Sequence, residues 1–334
     1  MSAANPMRIL VTGGAGYIGS HTVRALLARG HDVVVLDNLS FGHRQAVPAE
    51  RLVGGDLNDA ALVERLFAER KIEAVVHFAA FAFVGESVTD PAKYYANNLI
   101  NSLALLEACR RHGVQKFVFS STCATYGTPT KVPIDENEKQ LPINPYGNTK
   151  LAFERALADY AGAYPFGYCA LRYFNAAGAS PDGTIGEDHD PETHLIPLAF
   201  QAAMGKRSHL DIFGTDYPTP DGTCVRDYIH VDDLAAAHIL ALEKLAPSAQ
   251  WQYNVGVGRG FSVREVIRTV EDVSGLKVPV KLGPRRAGDP PELVANADKI
   301  RRELGWSPRY ADLRPIVETA WNWHRTHPAG YLKG

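Results

Sequence analysis

Cysteine is scarce: Cys109, Cys123, Cys169 and Cys224 are the only four in 334 residues, widely separated and with no Cys-x-x-Cys pair. That excludes thiolate zinc ribbons and a disulfide scaffold, and it predicts buried, reduced thiols in a cytoplasmic protein with no metal ligand set. Net charge is almost absent too, −2 from 35 Lys+Arg and 37 Asp+Glu. No global positive field is available for nucleic acid or an anionic membrane, so a phosphate-bearing partner has to be held locally. No run of 18 apolar residues occurs, and Met1–Pro6 carries no basic segment leading into an apolar one. Neither a membrane-spanning nor an exported protein is expected. Internal repeats and low-complexity tracts are likewise missing.

Hydrophobic residues make up 46% and charged residues 22%, the profile of a globular chain long enough for two domains. Arg8–Thr12, Asp32–Asp37, Ala74–Ala79, Lys116–Ser121 and Tyr168–Phe174 are short apolar runs rich in β-branched or aromatic residues, and read as strands. Between them Thr22–Arg29, Asp59–Glu69, Asn98–His112 and Tyr146–Ala161 have helical spacing. Continuous apolar strands alternating with helices specify an α/β fold, a doubly wound parallel sheet covered on both faces. After Asn175 the stretch Ala176–Thr193, rich in Gly, Pro, Ala and Asp, marks irregular backbone. Helices follow at Leu195–Met204, Val231–Leu245, Val263–Ser274 and Leu313–His327, with a strand at Gln252–Val255. The expected division is residues 1–175 and a smaller mixed unit 176–334, with 231–256 returning to the first sheet.

Directly after the first strand comes Gly13-Gly14-Ala15-Gly16-Tyr17-Ile18-Gly19, with a helix opening near Ser20. Glycines at 13, 16 and 19 permit the tight turn, the approach of backbone N–H groups to a pyrophosphate, and close packing of helix on strand. Asp37 closes the second strand eighteen residues after Gly19. A carboxylate there accepts from both hydroxyls of an adenosine ribose and repels a 2′-phosphate, so NAD is expected in preference to NADP, on a Rossmann-type sheet. Asp56, in Gly54-Gly55-Asp56-Leu57, either reaches the adenine amino group or is an ordinary turn carboxylate.

In Asn144-Pro145-Tyr146-Gly147-Asn148-Thr149-Lys150, Tyr146 and Lys150 stand four apart on a helix, on one face. A nearby ammonium and an oxidised nicotinamide both favour the phenolate, which makes Tyr146 a candidate base. Thr122, at the carboxyl end of a parallel strand, is placed to orient a substrate hydroxyl or share the tyrosine proton, or else to make a local backbone bond.

Thr12–His21, Asp37-Asn38-Leu39, Tyr146-x-x-x-Lys150 and Arg226-Asp227-Tyr228-Ile229-His230-Val231 together resemble the extended short-chain dehydrogenase/reductases, and within them the UDP-glucose 4-epimerases. Val84–Ser87, Leu171–Asn175, Asp211–Thr223 and Arg285-Arg286-Ala287-Gly288-Asp289 extend the resemblance over nearly the whole chain. It implies oxidation of a UDP-hexose at C4 by tightly held NAD, rotation of the keto sugar, and return of the hydride to the other face. It also implies cofactor contacts at Tyr17, Ile18, Asn38, Leu57, Phe78, Ala79, Ala80, Asn98, Ser120 and Tyr173, besides the glycines, Asp37, Asp56, Tyr146 and Lys150. The UDP-sugar substrate falls by the same resemblance on Thr122, Tyr146, Phe174, Asn175, Thr193, His194 and Leu195, and on Phe213, Arg226, Tyr228, Arg286, Asp289 and Leu293. A homodimer follows from the resemblance alone.

Ala82 and Phe83 stand in the region where familiar bacterial epimerases carry a lysine. Leu293 falls where the family gates the sugar pocket, tyrosine resembling enzymes restricted to plain hexoses and smaller residues those admitting N-acetyl groups; N-acetylhexosamine and pentose nucleotides are the alternative substrates. A nucleotide-sugar 4,6-dehydratase needs an acid and a base beside Thr122, where Cys123 and Ala124 offer neither. A non-catalytic NAD sensor has no use for Tyr146, Lys150 and Thr122 together.

Overall fold

The computed structural model describes residues 6–286 and 289–331; the reading of Met1–Asn5 and the Ala287-Gly288 pair of the basic motif lie outside the described residues. The chain runs β1 (Arg8–Thr12), α1 (Tyr17–Ala28), β2 (Asp32–Asp37), β3 (Leu52–Gly54), α2 (Ala60–Arg70), β4 (Ala74–His77), α3 (Val84–Thr89), α4 (Pro91–Tyr94) and α5 (Asn101–Arg111). Next come β5 (Lys116–Thr122), α6 (Pro145–Ala163), β6 (Gly167–Tyr173), β7 (Asn175–Ala177), α7 (Leu195–Ala203), β8 (Leu210–Phe213), β9 (Val225–His230), α8 (Val231–Lys244) and β10 (Gln250–Val255). The last elements are β11 (Gly260–Ser262), α9 (Val263–Ser274), β12 (Val280–Gly283), β13 (Glu292–Leu293), α10 (Asp298–Leu304) and α11 (Leu313–Thr326).

Seven strands form the main sheet in the order β10-β6-β5-β4-β1-β2-β3, and every neighbouring pair is parallel. This is the doubly wound arrangement expected from the apolar runs, with β10 pairing along β6 from Gln250 opposite Tyr168 to Val255 opposite Tyr173. Ile9, Val11, Val33, Val35 and Val76 bury one face of the sheet against Val23 and Leu26 of α1 and Leu234 and Leu242 of α8. Leu10, Val75, Phe117 and Phe119 bury the other against Leu66, Leu105 and Phe153. Near-total burial on both faces explains why these strands lack polar alternation.

Strand order reverses between β1 and β4, and that is where ligands enter open α/β sheets. Thr12 and His77, the last residues of those strands, are hydrogen bonded at 2.6 Å, and His77 also pairs with Ser102 at 2.8 Å. Burial drives the His77 imidazole down to about 3, so it stays neutral and ties the two strand ends to α5.

Helix α1 begins at Tyr17, three residues before the expected start near Ser20, because Gly16 itself acts as N-cap. A π-helical turn, Tyr95–Ile100, precedes α5 and joins it to α4. The second half holds strands that the sequence reading did not separate. β9 lies between β11 and β13 and also pairs with β7, while β8 pairs with β12. α7, α9 and α11 close a third core around Phe200, Phe261, Val266, Ile316 and Val317.

Candidate active site

A cavity of about 1320 Å³ runs along the carboxyl edge of the main sheet and into the second half. Single-ligand pockets usually measure roughly 300–1,000 Å³, so there is room for two ligands side by side. At one end lies the glycine turn. A Cβ on Gly13, whose φ is +70°, would meet Ala79 N at 2.5 Å, and one on Gly19 would meet Gly13 O at 2.2 Å. Those two glycines let β1, β4 and α1 converge. A Cβ on Gly16 meets only Gly13 O at 3.3 Å and otherwise points into space, on the cavity wall. No side chain caps α1 and no acidic residue occupies its first turn, so the helix N-terminus presents backbone donors and partial positive charge. This cradle fits the pyrophosphate of NAD.

Asp37 is buried, its Oδ2 accepting from Ala15 N at 2.9 Å and its Oδ1 from Leu39 N at 2.8 Å. Each oxygen keeps a lone pair for a further donor, as a ribose diol requires. Burial raises the Asp37 carboxyl and the two backbone N–H groups oppose that rise. Asn38 donates from Nδ2 to Asp56 Oδ2 at 2.6 Å, and Asp56 Oδ1 accepts from Asn58 N, so Asp56 organises its own turn as well as lining the cavity beside Leu57. Phe78, Ala79 and Ala80 form the wall beyond β4. Where a lysine was missing, Phe41 packs edge-on to Phe81 and Phe83 at 5.7 and 5.1 Å. Lys93 lies 4.4 Å over the Phe81 ring and pairs with Glu86 at 2.6 Å.

Thr122, Tyr146, Lys150 and Tyr173 meet at the middle of the cavity. Asn144 caps α6 by accepting from Gly147 N at 2.8 Å and Pro145 occupies the first helical turn, which starts the helix immediately before Tyr146. The Lys150 ammonium donates to Ser120 O at 2.8 Å and lies 4.7 Å over the Phe119 ring. Burial brings Lys150 down to about 7, with Glu154 one turn further along α6 pulling it up. Burial pushes the Tyr146 phenol well above its ordinary value, Tyr173 adds to that, and a hydrogen bond with Thr122 acts in the opposite sense. Thr122 Oγ1 accepts from Ala124 N at 3.1 Å, which leaves its proton to donate. Thr122 thus makes the local backbone bond and also has its hydroxyl within reach of Tyr146.

Beneath this group is a buried network that fixes β5, α6, β6 and β10 relative to one another. Arg172 pairs with Glu154 at 2.6 Å and donates from Nη1 to Tyr126 Oη at 3.0 Å; Ser121 bonds Glu154, and Tyr126 bonds Asn254. Asn98 and Ser120, expected along the cofactor, hold the wall from behind. Asn98 clamps Phe81 by accepting from its N and donating to its O at 2.8 and 2.9 Å, and Ser120 donates to Tyr173 Oη at 2.9 Å. Tyr17 lines the cavity, yet its hydroxyl donates to Gly178 O at 2.6 Å. Gly13, Gly16, Ile18 and Gly19 line the same end.

The far end gathers Phe174, Asn175, Thr193, His194 and Leu195 with Phe213, Tyr228 and Leu293. Arg226 and Asp289 line it as a hydrogen-bonded pair, and the Arg226 Nη1 also donates to Val225 O at 2.8 Å. The Arg286 guanidinium stacks 4.0 Å over the Phe213 ring, its donors left for an anionic ligand such as a diphosphate. The sequence reading missed the Glu154–Arg172 network, whose members come from a helix and a strand 18 residues apart. It also missed a group of Glu187, His189, Glu192 and His194 in the cavity wall, although four ligating side chains in eight residues were there to be read.

The NAD dependent epimerase/dehydratase family profile matches residues 9–256. A UDP-glucose 4-epimerase of Lacticaseibacillus casei is 54% identical over 327 residues, 97% of this chain and 99% of its own. That of Azospirillum brasilense is 53% identical, covering 97% and 94%. The crystal structure of Brucella ovis UDP-glucose 4-epimerase in complex with NAD superposes with a TM-score of 0.91 at 51% identity, covering 95% of this chain and 98% of that one. The Bifidobacterium longum enzyme in complex with NAD+ and UDP gives 0.92 at 40% identity, covering 97% and 100%. A parallel sheet with a glycine turn at its reversal point, a Tyr–Lys pair on one helical turn and near full-length identity to these enzymes agree: the chain belongs to the NAD dependent epimerase/dehydratase family and, within it, to the UDP-glucose 4-epimerases.

Proposed function

We propose that the chain interconverts UDP-galactose and UDP-glucose by NAD-dependent epimerisation at C4, with Tyr146, Lys150 and Thr122 as its proton-handling group. The observation that carries this reading is the meeting of those three side chains in one cavity with the uncapped start of α1 and Asp37. NAD, when bound, supplies a reversible hydride acceptor and the positive charge of its oxidised ring. Tyr146 Oη takes the proton of the sugar 4-hydroxyl and later returns it. Lys150 holds the phenolate by charge, and Thr122 donates to it, because burial otherwise disfavours the anion. The hexose has to turn between the two transfers, so binding energy belongs on the UDP portion, for which Arg226 and Arg286 supply guanidinium donors.

The cofactor is held by residues 1–175 together with 231–256, and the sugar nucleotide by the rest of the chain. Leu293 in β13 is smaller than tyrosine, which favours admission of an N-acetylhexosamine as a second substrate class. The working unit is a homodimer, and exposed Val88 in α3 and Tyr95 and Ile100 in the π-helical turn before α5 are the kind of surface that a second copy covers. Free, buried cysteines favour a reducing cytoplasm, and no helix among the described residues is long and apolar enough to cross a membrane.

The test is incubation of purified protein with UDP-galactose and no added cofactor, following UDP-glucose by chromatography. Conversion is expected from retained NAD. Failure with NAD supplied, while UDP-N-acetylgalactosamine or a UDP-pentose is turned over, would move the assignment to those sugars.

A further inference from the structure

The loop between β7 and α7 carries Glu187-Asp188-His189-Asp190-Pro191-Glu192-Thr193-His194. One donor atom from each of Glu187, His189, Glu192 and His194 lies within 4.8 Å of the others. His194 Nδ1 is 2.8 Å from Glu187 Oε1 and 3.0 Å from Glu192 Oε1. His189 Nδ1 is 3.4 Å from Glu187 Oε1 and 3.6 Å from Glu192 Oε2. A tetrahedral ion with bonds of about 2.0–2.1 Å holds its ligands roughly 3.3 Å apart; the two His189 separations are close to that edge, and the two shorter His194 contacts, one of them a hydrogen bond to Glu192 Oε1, would open by a few tenths of an ångström on binding.

Glu187 is only 4% exposed, and although its Oε1 lies 2.8 Å from His194 Nδ1 and 3.4 Å from His189 Nδ1, neither contact has hydrogen-bond geometry, and His189 Nδ1 makes no other hydrogen bond. A buried carboxylate oxygen that faces two imidazole nitrogens without a well-aligned hydrogen bond to either is left under-satisfied, and a cation held between the three atoms would satisfy it. Their backbone is anchored from outside the group. Trp323 Nε1 donates to Glu187 O at 3.1 Å, His43 Nε2 bonds Asp188 O at 2.9 Å, and Tyr331 N donates to Asp188 Oδ2 at 2.8 Å. Glu192 Oε1 accepts from Thr193 N and His194 N at 2.7 and 2.8 Å, which leaves its Oε2 toward His189.

We propose that Glu187, His189, Glu192 and His194 bind one divalent first-row transition ion, of the zinc class, which clamps the segment delivering Thr193 and Leu195 to the cavity. Two imidazoles exclude the all-oxygen preference of calcium and magnesium, and two carboxylates exclude soft monovalent copper. The expectation of no metal ligand set rested on the scarcity of cysteine, an argument that does not reach a site built of histidine and carboxylate. This assignment does not depend on which sugar the enzyme takes.

The experiment uses untagged full-length protein. Metal analysis is expected to give about one zinc per chain, removed by a chelator and restored on adding zinc. Chelation should lower the melting midpoint by roughly 4 °C against protein in a hundredfold excess of ion over its dissociation constant. Cobalt(II) loaded into chelated protein should give the intense visible bands of four-coordination. His194→Gln, at the half-exposed position, and Glu187→Gln should each weaken zinc binding at least about tenfold with the circular dichroism spectrum unchanged. The competing arrangement is two protonated imidazoles paired with two carboxylates. It would be established, and the proposal overturned, by protein that neither retains zinc nor takes it up by calorimetry, or by zinc binding equal in the wild type and His194→Gln.

Discussion

Replacing Lys150 by methionine should make the cofactor-free protein more stable while abolishing its activity. The ammonium is 4% exposed, and burial brings it from the ordinary 10.5 to about 7. At about 1.4 kcal/mol per tenfold, that corresponds to roughly 5 kcal/mol against the charged form. Methionine has similar length and no charge, but it forfeits the bond to Ser120 O and the contact with the Phe119 ring, together worth about 2–3 kcal/mol. A net gain of about 2 kcal/mol remains, or roughly 3 °C in melting midpoint for a chain of this size. The sign with pH follows from linkage. Between about 7 and 10.5 the unfolded chain binds a proton that the folded one releases, so wild-type stability rises across that window. The burden is full below pH 7 and gone above 10.5. Scanning calorimetry of NAD-free protein should therefore find the variant ahead by the most at about pH 6 and by least near pH 10. A variant no more stable than wild type at the lower pH, or an advantage independent of pH, would refute the reasoning.

Tyr146→Phe should reduce kcat by about two to four orders of magnitude with retained cofactor unchanged, as removal of a general acid/base does; turnover within a factor of about three would remove the phenol from the proton transfer. Asp37→Ala should relax the preference for NAD over NADP by about tenfold or more, since the repelling charge is gone. It should also lower the melting midpoint by about 1–3 °C, because Ala15 N and Leu39 N lose their acceptor. Glu154→Leu leaves the Arg172 charge buried and should cost about 3–5 kcal/mol by chemical denaturation, most of it recovered in Glu154→Leu/Arg172→Met. A single variant as stable as wild type would mean that the pair does not hold the sheet to α6.

What could be read from the chain without coordinates was whatever is set by neighbours in sequence. The glycine turn, Asp37 at the end of β2 and the Tyr146–Lys150 spacing all lie within one or two elements, and each appears where local pattern put it. The strands of the main sheet were legible because burial on both faces makes them continuously apolar. β9 was not, since Val225-Arg226-Asp227-Tyr228-Ile229-His230 mixes charge into a strand. Asp227 is wholly buried there, its carboxylate accepting from Val257 N, Gly258 N and Ala295 N at 2.9, 2.9 and 3.1 Å. That satisfaction comes from segments 30 to 68 residues away, which no window on the sequence contains. The positions of Asn98 and Ser120 behind the wall depend in the same way on which of two faces a turn presents.

β10 has a consequence beyond completing the sheet. The chain leaves the main sheet after Tyr173, builds β7, β8 and β9, comes back through α8 to lay β10 against β6, and departs again for β11. No single cut separates the half with the glycine turn from the half with Arg226 and Arg286. A fragment ending at 175 would expose the whole length of β6 as an open edge, inviting pairing with other chains in place of folding. Recombination at one point therefore could not exchange the half bearing Arg226 and Arg286 on this sheet, and the two sets of cavity walls are inherited together.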